Sequence, residues 1–114
     1  MDAAMKNEES LEILGKVCRA CESVFPQGIH DAYLYGSYAR GDYTEDSDVD
    51  ILLTVDAADL GSYRWPVAQI TSDLSLEYDK TISVTVKPLW QFQKFAQVLP
   101  YYQNVLREGV RYDG

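Results

Sequence analysis

Two short stretches hold the groups in this 114-residue chain whose types and spacing could do chemistry together, Gly36-Ser37-Tyr38-Ala39-Arg40-Gly41 and Ser47-Asp48-Val49-Asp50-Ile51-Leu52-Leu53. The first follows Ala32-Tyr33-Leu34-Tyr35, an apolar and aromatic run that reads as a buried strand. A glycine at its end can take positive φ and let backbone approach a ligand closely, and a Gly-Ser step leaves N–H groups and one hydroxyl free to face phosphate oxygens. Ten residues separate Ser37 from Asp48. Residues i and i+2 of a strand point the same way, so Asp48 and Asp50 emerge on one face while Val49 and Ile51 pack on the other. Two hard carboxylates side by side suit Mg²⁺, which takes one or two such ligands and lets substrate phosphates complete its octahedron. Without a cation the pair repels by about 1 kcal/mol near a surface. A purely structural role leaves that cost unexplained, so the joint pattern points to a nucleoside triphosphate held on magnesium.

The elements that must position these groups follow from periodicity. From about Glu8 to Phe25, Leu11, Leu14, Val17, Cys18, Cys21 and Phe25 recur at helical spacing, with two glutamates at the favourable N-terminal end and Pro26-Gln27-Gly28 as a stop. Between Ala57 and Tyr78, Gly61 and Pro66 mark a loop, and Val67, Ile70, Leu74 and Tyr78 predict a helix after it. Thr81-Ile82-Ser83-Val84-Thr85-Val86-Lys87 alternates as a half-buried strand should. Pro88 opens a helical turn carrying Leu89, Phe92, Phe95 and Ala96, and Pro100 a last helix ending at Gly109. The order is helix, strand, strand, helix, strand and one or two short helices. It describes an α/β (α+β) fold, a small mixed sheet flanked by helices, in one domain spanning residues 1–114.

Composition removes several function classes. A formal net charge of −8 opposes binding to duplex nucleic acid, whose phosphates are held by basic patches. No apolar stretch approaches the roughly 20 residues of a membrane helix, and the N-terminus lacks the basic and apolar regions of a secretion signal, so a cytoplasmic setting is expected. Cys18 and Cys21 have no second Cys/His pair to complete a zinc site and read as reduced packing residues, while His30, the only histidine, reads as a surface residue in the loop before the first strand. The chain has 14 aromatic residues by its count of nine Tyr, two Trp and three Phe. Tyr63, Trp65, Trp90, Tyr101 and Tyr102 lie in weakly periodic segments, either as satellite packing around the sheet or as a partner surface.

Gly36-Ser37, the spacer and Asp48-Val49-Asp50 resemble the motif of the nucleotidyltransferase superfamily that includes DNA polymerase β, kanamycin nucleotidyltransferase and the minimal bacterial nucleotidyltransferase (MNT) domains. Gly-Ser-Tyr-Ala-Arg-Gly with Ser-Asp-Val-Asp is typical of the minimal domains, and Leu99-Pro100-Tyr101 with Asn104-Val105-Leu106-Arg107-Glu108-Gly109-Val110 resembles their tail. The resemblance implies the polymerase β-like fold, with Gly36 and Ser37 on the triphosphate of ATP or another NTP, and with Asp48 and Asp50 as catalytic ligands of Mg²⁺. Arg40, the one base inside the motif, either touches a phosphate or pairs with Asp42, Glu45 or Asp46. The family's third carboxylate sits on a neighbouring strand, where this chain offers Ser83 and Thr85; Asp79, Asp73 and Glu77 are the nearest acids in sequence.

A single domain of this size must receive its acceptor from another molecule. The resemblance implies transfer of a nucleoside monophosphate, AMP in the first instance, to a hydroxyl of a protein partner, as in antitoxins that adenylylate a HEPN-type ribonuclease toxin. The alternatives are transfer to a small-molecule hydroxyl such as an aminoglycoside's, and a catalytically degenerate module that binds nucleotide or partner only.

Overall fold

The computed structural model describes residues 8–57 and 60–112. The N-terminal segment on which the secretion-signal reading rests, two residues of the 57–78 loop and the last two of the chain lie outside the described residues. Helix α1 (Glu8–Glu22) buries Ile13, Leu14, Val17, Cys18 and Cys21, and the chain turns off it through Phe25, also buried. Leu11, expected on that face, is exposed, and Ile13 lies inside instead. Strand β1 (Ile29–Tyr35) leads through Gly36 into α2 (Ser37–Arg40), one turn of helix absent from the periodicity reading because a single turn is too short to show a repeat. Strand β2 (Val49–Val55) is followed by a 3₁₀ turn (Gly61–Tyr63), then α3 (Arg64–Tyr78), β3 (Ile82–Pro88), α4 (Leu89–Phe95), α5 (Pro100–Glu108) and a two-residue β4 (Val110–Arg111). His30 lies within β1 rather than before it, exposed as expected, with its ring Nδ1 2.9 Å from the Asp31 carboxylate.

The four strands order as β3-β2-β1-β4, with β2 parallel to β3 and antiparallel to β1, and β4 antiparallel to β1. The mixed sheet flanked by helices is the α+β arrangement expected from the sequence. Its pleat separates two cores. Val49, Ile51, Leu53 and Val55 are sealed against the face covered by α1 and α3, while Leu52 and Tyr33 meet Phe92, Tyr102 and Val105 of α4 and α5 on the other. A strand buried on both faces reads as a near-continuous apolar run, which is how Ile51-Leu52-Leu53 reads. Register therefore decides which face each polar side chain joins. Asp50 pairs with Tyr35 on one side and with Ser83 on the other, and Leu52 pairs with Thr85, so all these residues share the α4/α5 face.

Gly109 caps α5 through its N–H, which donates to the Val105 carbonyl at 2.7 Å. A Cβ there would collide with that carbonyl and come within 3.2 Å of the Leu34 carbonyl. Gly109→Ala is expected to destabilise the fold by about 1–3 kcal/mol, the usual cost of overpacking. Thermal denaturation checks this; an unchanged melting temperature would count against the tight α5–β1 approach.

Candidate active site

The site begins with a backbone conformation. Gly36 has φ of 79°, in the left-handed half of the map that side chains disfavour, and a Cβ at this position would stand 2.5 Å from Asp50 Oδ2. Glycine is required twice over: it turns the chain out of β1, and it leaves the room that the Asp50 carboxylate occupies. The Gly36 carbonyl accepts the N–H groups of Ala39 and Arg40 at 3.1 and 3.0 Å, and Gly41, also at positive φ, closes the turn with its N–H on the Ser37 carbonyl at 2.9 Å. Ser37 is thereby the first residue of α2, half-buried beside Gly36.

Asp48 is exposed immediately before β2, and Asp50 is half-buried within it. The Val49 N–H between them donates to the Thr81 carbonyl at 2.9 Å, which ties this end of β2 to the start of β3. Burial, and after it the negative charge of Asp48, push the Asp50 carboxyl above its ordinary range, and Arg40 partly offsets this. An acid raised in this way opposes folding when ionised. Its protonation relieves that cost, so Asp50 detracts from stability at neutral pH and less so as the pH falls toward its folded-state value. Asp50→Asn is accordingly expected to raise the melting temperature of the metal-free protein by a few degrees at pH 7 and by less at pH 4. A lower melting temperature at pH 7 would contradict an uncompensated acid pair. Such a pair, reached by a glycine turn and oriented to one face, has the donor chemistry that fits a hard divalent cation.

Arg40 makes two ion pairs. Its Nε is 3.2 Å from Asp42, one of the partners anticipated in the spacer, and its Nη1 is 3.6 Å from Glu108 at the end of α5. Glu108 was not singled out from the sequence, because 68 positions separate it from Arg40 by their numbering and only the fold brings α5 back to the motif. The rest of the spacer is ordered locally, with the Thr44 N–H on Ser47 Oγ at 2.8 Å and Tyr43 stacked on the buried Tyr38 at 4.5 Å between centroids. Lys80 lies over the Tyr38 ring and 3.6 Å from Glu9.

Among the described residues β3, where the resemblance expects a third acid, carries none. Ser83, exposed, is the register partner of Asp50, and half-buried Thr85 that of Leu52. Asp73 and Glu77 ride on α3, across the sheet, where they are engaged by Gln69 at 3.0 Å and Lys16 at 2.6 Å. Asp79 caps α3 at φ of 52° and is exposed. Among the described residues no group of three acidic, histidine or cysteine side chains is placed to hold a metal. The aromatic residues divide between both readings: Tyr102 is buried and Tyr63 packs on Phe25 at 4.7 Å, whereas Trp65 and Trp90 are 83% and 59% exposed. Cys18 and Cys21 are buried and free, with burial pushing Cys18 up to about 12 and Cys21 up to about 11. Among the described residues no helix is long and apolar enough to cross a membrane.

Residues 14–108 match the family described as the nucleotidyltransferase domain. The chain belongs to that family. This nucleotidyltransferase is 35% identical over 103 residues to a Methanocaldococcus jannaschii protein named as a protein adenylyltransferase, covering 90% of this chain and 95% of the relative. A second protein of that organism with the same designation is 36% identical over 75 residues, or 66% of this chain and 76% of the relative. The same fold occurs in a toxin–antitoxin structure solved with AMP-PNP, at a TM-score of 0.62 and 21% identity over 88% of this chain and 72% of that one. It occurs also in a tri-AMPylated Shewanella oneidensis HEPN toxin in complex with its MNT antitoxin, at a TM-score of 0.55 and 17% identity over 94% and 71% of the two chains. The match spans most of the chain, including the Gly36–Leu53 motif where the resemblance is most specific and the tail that extends it, and the nucleotidyltransferase is an enzyme of that class.

Proposed function

We propose that this nucleotidyltransferase transfers AMP from Mg-ATP to a hydroxyl group of a partner protein, a reading supported by relatives named for protein adenylylation, with a HEPN-type toxin as the acceptor that a fold neighbour suggests. One observation carries the reading: Asp50, which feels the charge of Asp48 two residues before it, stands against the positive-φ Gly36 turn, with the space beside Gly36 taken by its carboxylate. Bound magnesium would neutralise charge developing on the phosphates and align them for in-line displacement. The protein's own groups divide the remaining work. Asp48 and Asp50 hold the metal ion, the Gly36-Ser37 turn faces backbone N–H and the Ser37 hydroxyl toward the triphosphate, and Arg40 balances Asp50 while bound to Asp42 and Glu108. Transfer of radiolabel from α-³²P-ATP to a HEPN-domain protein tests the reading, with loss of labelling on metal chelation as the expected control.

The absence of an acid at Ser83 favours a second reading, a slow or degenerate domain that recognises nucleotide and partner without efficient transfer. General base assistance is worth roughly 10²- to 10⁴-fold, whereas metal and positioning supply most of the catalysis of phosphoryl transfer. Ser83→Asp, which returns a carboxylate beside Asp50, is expected to raise the transfer rate roughly 10-fold or more. A rate left unchanged or lowered by that substitution, measured under single-turnover conditions, would argue that the Ser83 position does not face the reacting groups.

A further inference from the structure

Three hydroxyl groups are strung across the sheet on the Asp50 face. Tyr35 of β1 is the register partner of Asp50. Thr85 of β3 is the register partner of Leu52, the next residue of β2 on that face. Tyr101 descends from α5 between them: its hydroxyl donates to the Tyr35 hydroxyl at 2.8 Å and is also within hydrogen-bonding reach of Thr85. The two rings meet edge to face, 5.6 Å apart at 86°. Tyr35 and Asp50, paired across β1 and β2, share one face of the sheet, so the Tyr35 side chain stands beside the strand position that carries Asp50.

The direction of the chain matters. Tyr101 donates to Tyr35, so the Tyr35 proton is not spent on Tyr101. Burial first, and the bond to Tyr35 second, push the Tyr101 hydroxyl well above the ordinary tyrosine range, so it remains a donor throughout the working range. Hydrogen bonds arranged head to tail polarise one another, which strengthens the terminal donor. The trio thus borders the ground on which the family has its third acid, and it supplies a donor where the acid would supply a base.

We infer that Tyr35 is a catalytic residue of this enzyme, its hydroxyl donating a hydrogen bond to a non-bridging oxygen of the α-phosphoryl group during transfer, with Tyr101 and Thr85 as positioning residues. The inference rests on the transfer reading above. The bond that forms joins the acceptor oxygen to the α-phosphorus, the bond that breaks releases pyrophosphate, and the acceptor's proton passes to water. Tyr35 keeps its proton and stabilises charge that grows on the phosphoryl oxygens, which is how preorganised donors accelerate such reactions.

The test uses the full chain, ATP with magnesium, and a purified HEPN-domain protein as acceptor, with single-turnover rate and Mg-ATP affinity measured separately. Tyr35→Phe is expected to lower the rate roughly 10- to 100-fold while leaving Mg-ATP affinity within about threefold, since the donor acts mainly in the transition state. Tyr101→Phe keeps the Tyr35 hydroxyl but frees it, and should lower the rate by several-fold. The double variant should be no slower than Tyr35→Phe alone, because Tyr101 acts through Tyr35. A merely structural role predicts instead additive losses that follow the melting temperature and reduce rate and affinity together, and that result would overturn the inference. Should Tyr35→Phe fail to fold, Tyr101→Phe decides by the same split between rate and affinity. Wild-type speed in Tyr35→Phe, in a preparation where Asp50→Asn is inactive, overturns this inference alone; a wild-type enzyme that labels no acceptor overturns the transfer reading and this inference with it.

Discussion

Asp50→Asn is expected to lower AMP transfer by roughly 10²- to 10⁴-fold, because metal neutralisation of phosphate charge is worth several kcal/mol and this substitution removes one of the two carboxylates placed to supply it. Asp48→Asn should have a similar effect. The geometry gives the pair no reserve, since among the described residues no third acid clusters with them. Affinity for Mg-ATP measured by calorimetry should fall as well, whereas affinity for ATP without metal should not. The same Asp50→Asn variant is expected to melt higher than wild type when metal-free, as argued above. Loss of activity with gain of stability distinguishes a functional acid from a structural one. Activity and metal-dependent binding both unchanged in the two variants would remove the metal-site assignment.

The second large effect is expected at Gly36. Alanine there must hold a φ of 79°, which costs an L-residue about 1–2 kcal/mol, and its methyl group would enter the space of Asp50 Oδ2 at 2.5 Å. The fold can relieve the contact by rotating the Asp50 carboxylate away, and a misplacement of about 1 Å at a reacting centre can cost on the order of 10²-fold. Gly36→Ala is therefore expected to depress transfer by about that factor, and valine, branched at Cβ, by more. Ser37→Ala removes a single hydroxyl and should cost only about 1 kcal/mol of nucleotide affinity. Circular dichroism guards against simple unfolding. A folded Gly36→Ala protein with wild-type transfer would show that Asp50 does not need its observed position.

Much of the fold was legible because its determinants are local. Apolar residues at helical spacing mark α1 and α3, alternation marks β3, and prolines at 88 and 100 stand at the N-terminal ends of α4 and α5, where the missing N–H costs nothing. The shorter elements were not legible. Four residues of α2 and two of β4 span barely one period each, too few for a repeat to show, and β4 exists because β1 offers it an edge to pair with. Leu11 shows the same limit, since helical spacing selects a face but the packing of α1 on the sheet sets the edges of that face.

The candidate site divides in a similar way. From Gly36, Ser37, Asp48 and Asp50 alone came the prospect of phosphate beside paired carboxylates, because strand alternation and glycine's conformational freedom are properties of a few adjacent residues. Tertiary structure alone decided that the missing side chain of Gly36 is the space filled by the Asp50 carboxylate, that Arg40 is shared with Glu108, and that Ser83 stands beside Asp50 with the Thr85–Tyr101–Tyr35 hydroxyls nearby. Those contacts join positions far apart in the chain. Their existence depends on the register of β1, β2 and β3 and on the return of α5 over the sheet, and a shift of one residue in any of those registers would send the same side chains to the opposite face.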